Sequence, residues 1–334
     1  MPKISVIIPV YNVEKTLSQT LESVIFQSFK DIQIICVNDC STDSSALILD
    51  NYAKQDARIT IVNNEKNLGL GLSRNVGLQY ANGEYIHFLD ADDWMEIKAY
   101  EILAANTVKN PDVVCFLWNN VNYRNGKIRS EKFLHNTDTS NFLETPQIID
   151  DWGVSVWHRI YRKEFLDEHK ILFNDFRCME DVEFLYKVLI DAEQIKFVNE
   201  CLLNYRTNNP NSLIGKAAKY YQCIMSTYKE IAVYSEKLPL DKRDLLLANL
   251  FNSTLYKLLG SYVSGELTLK ELKCCIYEID VVPFLQEDKS YKWYGMYHEI
   301  MNSNPFMLKF RYKLKSYLKN NFYPLYEFLK RKKA

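Results

Sequence analysis

The sequence lacks three features that would place it in other broad classes of protein. It has no apolar run of the roughly 18–20 residues that a membrane-spanning helix requires. Its 41 basic and 42 acidic side chains nearly cancel, so it has no excess of positive charge for nucleic acid. Its eight cysteines form no CxxC pair, which argues against a zinc site and a disulfide framework. We therefore expect free thiols in a reducing cytoplasm, and no signal peptide, because the apolar run 4–10 is too short for one.

What is present is a regular alternation of apolar runs with stretches of helical periodicity. The predicted strands are 4–10, 32–38, 59–62, 85–89 and 112–117, and the predicted helices are 14–28, 43–54, 71–81 and 98–110. The strand-type runs are apolar nearly throughout, as in strands covered on both faces. This alternation predicts an α/β fold with a mainly parallel sheet, whose post-strand loops gather at one edge.

The most distinctive segment is Asp90–Asp93, which follows the apolar run 85–89 and holds three carboxylates in four residues. Carboxylates this close repel one another unless water or a cation neutralises them. The segment falls at the carboxyl end of a predicted strand, where open α/β sheets bind ligands. Hard oxygen ligands of this kind suit Mg²⁺ or Mn²⁺. A solvated acidic turn before the next helix is the alternative.

Two other post-strand loops carry groups that suit a nucleotide. Asp39 follows the second predicted strand and precedes a Ser-Thr-Asp-Ser stretch that fits a helix N-cap. Its carboxylate can accept the ring N–H of a pyrimidine. Gly69 and Gly71 do not complete the GxGxxG fingerprint of dinucleotide-binding loops. Taken alone, Arg74 also fits a surface ion pair.

Six segments in this order resemble the family 2 glycosyltransferases, which have the GT-A type of fold. They are PVYN at 9–12, VNDCSTDSS at 37–45, NLGLGLSRNVG at 67–77, LDADDW at 89–94, VWHRIYR at 156–162 and MEDVEF at 179–184. The resemblance covers about residues 3–215. It implies a GT-A catalytic domain over 1–215 that binds a nucleotide-sugar, followed by a helical region over 216–334.

The resemblance also implies a role for each matching side chain. On the nucleotide-sugar side these are Pro9, Tyr11, Glu14, Asp39 on the pyrimidine N–H, Arg74 near the base and phosphates, Asp90 near the ribose or metal, and Asp93 orienting the donor sugar or the loop. Asp92 is expected to bind Mn²⁺ or Mg²⁺ on the diphosphate, and Asp181 to be the catalytic base. The acceptor pocket is expected to contain Trp157, Arg159 and Glu180. The family usually has Lys at the position of Arg159, so the contact made there need not be the same.

Glu180 and Asp181 also fit a structural interpretation, because acidic residues are favoured in the first turn of a helix and 182–189 has helical spacing. The two interpretations are compatible, since a helix start can aim a carboxylate into a cleft. Inverting sugar transfer needs a base to deprotonate the acceptor hydroxyl and a Lewis acid to hold the departing diphosphate. Those tasks match Asp181 and Asp92.

Beyond about residue 215 the strand-type runs stop, and helices are predicted over 220–237, 241–260 and 267–277. The segment 306–334 carries nine basic side chains against one acidic one and is rich in aromatic residues, with Pro324 interrupting its helix. Such a tail suits an anionic membrane surface. A helix docked on its own domain and a single-stranded nucleic-acid site are the alternatives. We favour peripheral attachment to the cytoplasmic face of the inner membrane, with no nucleic-acid partner.

The resemblance makes one functional hypothesis the leading one: an inverting, metal-dependent glycosyltransferase that uses a nucleotide-sugar, such as a UDP-sugar. Its acceptor would be a hydroxyl of a growing bacterial surface glycan, such as lipopolysaccharide, capsule or a lipid-linked oligosaccharide. A nucleotidyltransferase is the alternative enzyme, but PVYN offers no glycine- and basic-rich phosphate loop after the first strand. A catalytically inactive nucleotide-sugar-binding module is the non-enzymatic alternative, which the intact Asp92 and Asp181 argue against.

Overall fold

The computed structural model describes residues 1–133, 139–153, 155–175, 179–207, 221–265 and 267–278. The chain divides into two units, Met1–Ser212 and Leu213–Ala334. The predicted basic tail, 306–334, and the predicted domain boundary at about residue 215 lie outside the described residues. Within the described ranges, no helix combines the length and apolar character needed to cross a membrane.

The described strands of the first unit form one sheet. In chain order, β1 to β10 are Ile4–Val10, Ile32–Asn38, Ile59–Asn63, Tyr85–Phe88, Trp94–Met95, Val113–Asn122, Ile128–Ser130, Thr139–Ser140, Arg159–Arg162 and Ile195–Thr207. The order across the sheet is β3-β2-β1-β4-β9-β6-β10-β5, with β7 paired to β6 and β8 to β10. The first four strands are parallel, and β9 joins β4 to β6 in the antiparallel direction. This confirms the predicted α/β arrangement.

The first unit contains seven described α-helices. In chain order, α1 to α7 are Leu17–Ile25, Ser45–Ala53, Leu70–Tyr80, Ala99–Ala105, Ile149–Trp152, Lys163–Glu168 and Glu180–Asp191. In α1 the helical spacing places Leu17, Leu21 and Val24 in the core, where each contributes roughly 1.5–3 kcal/mol. In α3, Gly77 permits close packing on β1, because a Cβ there would stand 2.4 Å from Ile7 Cγ2.

The carboxyl ends of the first strands come together at one edge of the sheet. Val10 of β1 lies opposite Asn38 of β2, and Asn38 lies opposite Asn63 of β3, so the three following loops start side by side. β4 lies on the other side of β1, with Phe88 opposite Ile7. The acidic segment Asp90–Asp93 therefore begins at the same edge.

Several predicted boundaries differ from the structure. β1 and β2 coincide with the predicted ranges, but the strand predicted over 112–117 continues to Asn122. Its polar second half has no apolar run to reveal it and is held by pairing with β10 and β7. The helices predicted over 14–28 and 98–110 are shorter, at Leu17–Ile25 and Ala99–Ala105.

The second half of the sheet is not apparent in the sequence. β9 has only four residues, two of them arginine, and β10 is interrupted by a bulge between Val198 and Cys201. β10 runs parallel to β6 over its whole length. Its far end carries Arg206 to the acidic segment, where the Arg206 backbone N–H donates to Asp93 Oδ1 at 2.8 Å.

The described part of the second unit is helical, as predicted. α8 to α10 are Tyr221–Tyr234, Leu240–Ser264 and Leu269–Glu278. α9 buries Leu246, Leu250 and Leu258, at a spacing that keeps them near one face. It ends at Gly265, whose φ of 90° is the left-handed conformation that favours glycine after a helix.

Candidate functional site

The Asp39 carboxylate is held by neutral donors at the start of α3. Oδ1 accepts hydrogen bonds from the Leu68 N–H at 2.7 Å and Asn64 Nδ2 at 2.8 Å, and Oδ2 accepts one from the Gly69 N–H at 2.8 Å. Gly69 has a φ of 92°, which lets the chain turn its amide toward Asp39. A carboxylate offers about four acceptor positions, so Asp39 retains capacity for one more N–H.

The loop after β1 lies beside Asp39, because the Asp39 N–H donates to the Val10 carbonyl at 2.8 Å. Pro9 is buried in β1, and the Tyr11 side chain is about half exposed at 49%. Glu14 Oε2 accepts the Ser44 N–H at 3.0 Å, while the Glu14 N–H donates to Asp43 Oδ2 at 3.0 Å. Glu14 therefore ties the first loop to the start of α2 and leaves the ring of Tyr11 on the surface.

Arg74 joins two of the predicted site carboxylates. Its side chain has no exposed surface, and its Nη2 lies 2.8 Å from Asp90 Oδ1 and its Nη1 2.5 Å from Asp181 Oδ1. Burial acts to lower the pKa of this guanidinium, but the neighbouring carboxylates outweigh burial and raise it, so Arg74 stays charged. The structure thus places Arg74 between Asp90 and Asp181, beneath the surface of the site.

Glu180 and Asp181 open α7, as the sequence predicts. Asp181 Oδ2 accepts the Val156 N–H at 3.4 Å. Burial raises the pKa of Asp181 above its ordinary value, although Arg74 acts in the opposite direction. Burial and then repulsion by Asp181 raise the pKa of Glu180 to about 7. A carboxylate with a raised pKa is a stronger base, so the raised pKa values of this pair favour the uptake of a proton.

The acidic segment holds one buried and two partly exposed carboxylates. Asp93 is buried, and its Oδ2 has no hydrogen-bond partner among the described residues. Burial, followed by repulsion from Asp92 and Asp90, raises the pKa of Asp93 well above its ordinary value. The repulsion indicates an excess of negative charge at this loop.

Arg206 holds the acidic segment from the other side, and sequence reasoning missed it. Its Nε donates to the Asp92 carbonyl at 2.9 Å and its Nη2 to Gln19 Oε1 at 2.7 Å. Its guanidinium lies 4.8 Å from the centre of the Trp94 ring. A single arginine in an irregular strand gives no sequence signal, because its partners lie far away in the chain.

The residues present fit the divalent ion that the resemblance implies. The described ranges contain no group of three or more His, Cys, Asp or Glu side chains arranged to hold a metal by themselves. Mg²⁺ in such sites is held by one or two carboxylates together with substrate phosphates, so no such group is required. The partly exposed Asp92, in a loop with surplus negative charge, is the residue that would hold it.

Trp157 is buried and belongs to a cluster of aromatic rings. Its ring stacks on Tyr205, with ring centres 4.9 Å apart and an angle of 15°, and it meets the edge of Trp118 at 5.2 Å. The Trp157 carbonyl lies 2.8 Å from His87 Nε2, and His87 Nδ1 lies 2.9 Å from the Tyr100 hydroxyl. A carbonyl only accepts, so Nε2 carries the proton and Tyr100 donates to Nδ1. His87 is a second residue that sequence reasoning missed.

Arg159 lies behind this cluster with its side chain buried. Its guanidinium is 4.3 Å from the centre of the Trp152 ring, and its Nη1 donates to the Ser155 carbonyl. The structure therefore brings Arg74, Asp90 and Asp181 into direct contact, and places Arg159 beneath the turn that precedes β9.

Comparison with known proteins relates the chain to a family of enzymes. Residues 5–169 match the family model described as Glycosyl transferase family 2. EpsJ, an uncharacterized glycosyltransferase of Bacillus subtilis (strain 168), is 33% identical over 224 residues, which are 64% of this chain and 63% of EpsJ. The glycosyltransferase GlyA of Streptococcus pneumoniae serotype 4 is 29% identical over 283 residues, which are 81% of this chain and 40% of GlyA. The chain spans less than two thirds of both relatives.

A solved structure supports the same assignment. The crystal structure of S. aureus TarS 1-349 in complex with UDP has a TM-score of 0.66 and 26% identity, covering 80% of this chain and 76% of that chain. The likeness confirms the GT-A type of fold predicted from the six motifs. The chain belongs to glycosyl transferase family 2.

Proposed function

We propose that this protein is an inverting, divalent-metal-dependent glycosyltransferase that moves a sugar from a UDP-sugar to a hydroxyl of a bacterial surface glycan. The observation that carries the proposal is the pair of ion pairs made by buried Arg74, to Asp90 at 2.8 Å and to Asp181 at 2.5 Å. They fix a candidate base beside the acidic segment where the diphosphate would sit. A module that only bound nucleotide would have no use for a base there.

The nucleotide end of the donor fits the loops after β1, β2 and β3. Asp39 keeps an acceptor position for the ring N–H of uracil, and Tyr11 offers an exposed ring beside it. Pro9 and Glu14 shape the loop that carries Tyr11. The UDP in the TarS complex, at 26% identity, supports a uridine nucleotide as the donor's leaving group.

The diphosphate and sugar would lie over the acidic segment. Asp92 would hold a Mn²⁺ or Mg²⁺ ion, which supplies positive charge to the departing diphosphate when bound. Asp90 would lie near the ribose, held there by its ion pair with Arg74. Asp93 accepts the Arg206 N–H and would orient the loop.

The substitution Asp92→Asn tests the metal role. It should abolish the part of the UDP-induced thermal shift that depends on Mn²⁺, whereas Asp31→Asn, at an exposed acid before β2, should preserve it.

Asp181 performs the proton transfer. One of its carboxylate oxygens takes the proton of the acceptor hydroxyl, while the hydroxyl oxygen attacks the anomeric carbon of the donor sugar. The new C–O bond forms on the face opposite the diphosphate, the bond from the anomeric carbon to the phosphate oxygen breaks, and UDP leaves. The configuration at the anomeric carbon is therefore inverted. Trp157 would form a wall of the acceptor pocket, with Glu180 beside the base.

The composition of the predicted tail supports a location at the inner membrane, and with it a membrane-attached glycan as the acceptor. The segment 306–334 has nine basic side chains and one acidic one, interleaved with aromatic residues, which suits the anionic cytoplasmic face of the inner membrane where lipid-linked glycans grow. The full chain should sediment with anionic vesicles, and more weakly as salt rises, because the attraction decays over a Debye length of about 8–10 Å. A chain lacking 306–334 should stay in the supernatant. Equal sedimentation of both chains would refute the membrane part of the proposal.

The decisive experiment is a screen of UDP-sugars and other nucleotide-sugars for Mn²⁺-dependent release of free nucleotide. A matching donor should be hydrolysed slowly without an acceptor and transferred with inversion when a glycan acceptor is supplied. Tight donor binding with no turnover under any condition would favour the inactive binding module. Release of pyrophosphate from a nucleoside triphosphate would favour a nucleotidyltransferase.

A further inference from the structure

The turn before β9 is held to α7 and β9 by buried side chains. The Trp152 indole N–H donates to the Leu185 carbonyl at 3.0 Å, and the Tyr161 hydroxyl donates to the Val156 carbonyl at 3.1 Å. The Val156 N–H in turn reaches Asp181 Oδ2. This turn is therefore fixed in the position where it touches the candidate base.

Arg159 contacts the same peptide group that touches Asp181. Arg159 Nη1 donates to the Ser155 carbonyl oxygen, and the N–H joined to that carbonyl is the Val156 N–H, which donates to Asp181 Oδ2. A peptide group is planar, with its C=O and N–H pointing in opposite directions. A guanidinium that fixes the oxygen thereby fixes the direction in which the N–H points.

Among the described residues, the Ser155 carbonyl is the hydrogen-bonded oxygen partner of the buried Arg159 side chain. Its side chain is 0% exposed, its charge rests 4.3 Å from the Trp152 ring centre, and Nε and Nη2 have no hydrogen-bond partner among the described residues. Burying a guanidinium with unpaired donors is costly, and an apolar side chain would fill the space without that cost. Full burial also keeps Arg159 from lining the acceptor pocket.

We infer that Arg159 is a positioning residue for the base: its charge polarises and orients the Ser155–Val156 peptide group so that the Val156 N–H holds Asp181 Oδ2. Hydrogen bonds in series strengthen one another, which makes the donation to Asp181 depend on the donation from Arg159. Asp181 then interacts with two cations: directly with Arg74, and with Arg159 through the Ser155–Val156 peptide group. The inference rests on the proposed role of Asp181 as the base.

The test compares Arg159→Met with Arg159→Lys in the full-length protein. Methionine fills similar space without charge, so the hydrogen bond to the carboxylate form of Asp181 weakens and its pKa rises. The acidic limb of the kcat profile should move up by at most roughly 0.5–1 pH unit, which corresponds to the loss of one whole hydrogen bond. Four other titratable groups face Asp181, and all of them remain in both variants. They are Arg74 on α3, Asp90 after β4, Glu180 on the same helix as Asp181, and the Tyr161 hydroxyl on β9. Lysine keeps the charge, so in Arg159→Lys the acidic limb should lie close to its wild-type position.

Arg162→Met is the matched control on the same strand. Arg162 pairs with Asp112 at 2.6 Å and Glu164 at 3.0 Å, so its loss affects folding without touching the turn. It should leave the acidic limb in place, and UDP affinity should be the same in all variants. An unmoved limb in Arg159→Met, or an equal shift in Arg162→Met, would overturn the inference. If Arg159→Met does not fold, Arg159→Gln takes its place, because glutamine also lacks the charge. An acidic limb that is unmoved in Arg159→Gln, both in kcat and in the carboxyl ¹³C titration of Asp181, then overturns the inference.

Asp181→Asn separates this result from a failure of the proposed function. If Asp181→Asn keeps wild-type turnover, Asp181 is not the base and the proposed function needs revision, whatever Arg159 does. If Asp181→Asn is inactive but Arg159→Met behaves as the wild type, only the positioning role fails. The ¹³C titration of the Asp181 carboxyl, assigned by its absence in Asp181→Asn, measures the shift without using catalysis.

Discussion

Asp39 and Asp181 are both carboxylates of the candidate site, yet they are held by different kinds of partner. Asp39 accepts hydrogen bonds from two backbone N–H groups and one amide, all of which belong to the loop 64–69. Asp181 is paired with the buried guanidinium of Arg74, and its other oxygen accepts an N–H from a turn before β9. The proposed nucleotide end, around Asp39, is therefore held by neutral groups of one loop, and the proposed catalytic end, around Asp181, by a buried charge and a turn that come from two separate segments.

The difference bears on what each end can tolerate. Hydrogen bonds to backbone N–H groups of one loop survive most substitutions of side chains elsewhere. A buried ion pair is costly to break, because the partner that remains is left charged and without solvent. We therefore expect substitutions at the catalytic end to affect rate, folding and pH dependence together, and those at the nucleotide end to affect mainly affinity.

The largest effect is expected for Asp181→Asn. The amide cannot accept the proton of the acceptor hydroxyl, so kcat should fall roughly 10²–10⁴-fold, the usual contribution of general base catalysis. UDP affinity should stay within a small factor of the wild type. Steady-state kinetics with a UDP-sugar and a binding titration with UDP measure the two quantities. Loss of UDP binding instead would move Asp181 to the nucleotide end and break the comparison.

Arg74→Met should have the next largest effect, and on folding. Its removal leaves Asp90 and Asp181 without their shared cation, and breaking a buried pair costs about 3–5 kcal/mol of the free energy of unfolding. Urea denaturation measures this loss. Arg129→Met is the control, because Arg129 pairs with Glu131 at an exposed hairpin and should cost less than about 1 kcal/mol. Equal losses in the two variants would mean that the buried pairs add nothing.

These two predictions concern contacts that no sequence pattern reveals. β1 and β2 could be bounded from the sequence because strands covered on both faces are apolar from end to end, and the loops that follow them could be placed at one edge. The helix start at Glu180 could be predicted from its acidic first turn. The ion pair between Arg74 and Asp181 joins residues 107 positions apart, and only the folded sheet brings them together.

The missed residues share that cause. Arg206 lies on β10, whose irregular pattern includes a bulge, and its partners are Asp92, Asp93 and Gln19, all in the first third of the chain. His87 sits in the middle of an apolar strand, where the sequence indicates only burial. Side chains that connect distant segments carry the geometry of the catalytic end, and a motif records the residues without their partners.

Asp39→Asn should sharpen the comparison at the nucleotide end. The amide has one acceptor oxygen and one donor group, so a buried N–H of Leu68 or Gly69 loses its partner, which costs about 1–3 kcal/mol of stability. The free energy of UDP binding should weaken by at least a similar amount, because the proposed function places the uracil N–H against the same side chain. The turnover of enzyme saturated with donor should change little. Asp50→Asn, on the exposed face of α2, is the control for both measurements, and a fall in kcat as large as that of Asp181→Asn would erase the distinction.

The smallest predicted effect is a pH dependence that belongs to the catalytic end alone. Burial lowers the pKa of His87 from 6.5 to about 4. Because the folded state binds fewer protons than the unfolded state in this range, the stability that neutral His87 gives is complete above pH 6.5 and is lost as the pH falls toward 4. At pH 5 the loss is roughly 2 kcal/mol. Glu180, with its raised pKa, acts in the opposite direction and stabilises the fold as the pH falls through 7.

Comparing wild type with His87→Gln isolates the histidine from Glu180, because both proteins keep the glutamate. The free energy of unfolding in urea of the wild type, minus that of His87→Gln, should be roughly 2 kcal/mol larger at pH 7 than at pH 5. Only the wild type loses stability at pH 5, because only its unfolded state gains a proton at position 87. Glutamine can donate to the Trp157 carbonyl in place of His87 Nε2, so the variant should fold. UDP affinity should not follow this change, because His87 touches the Trp157 side of the site and not the loops around Asp39. A difference in stability that is the same at both pH values would show that His87 does not titrate as its burial implies.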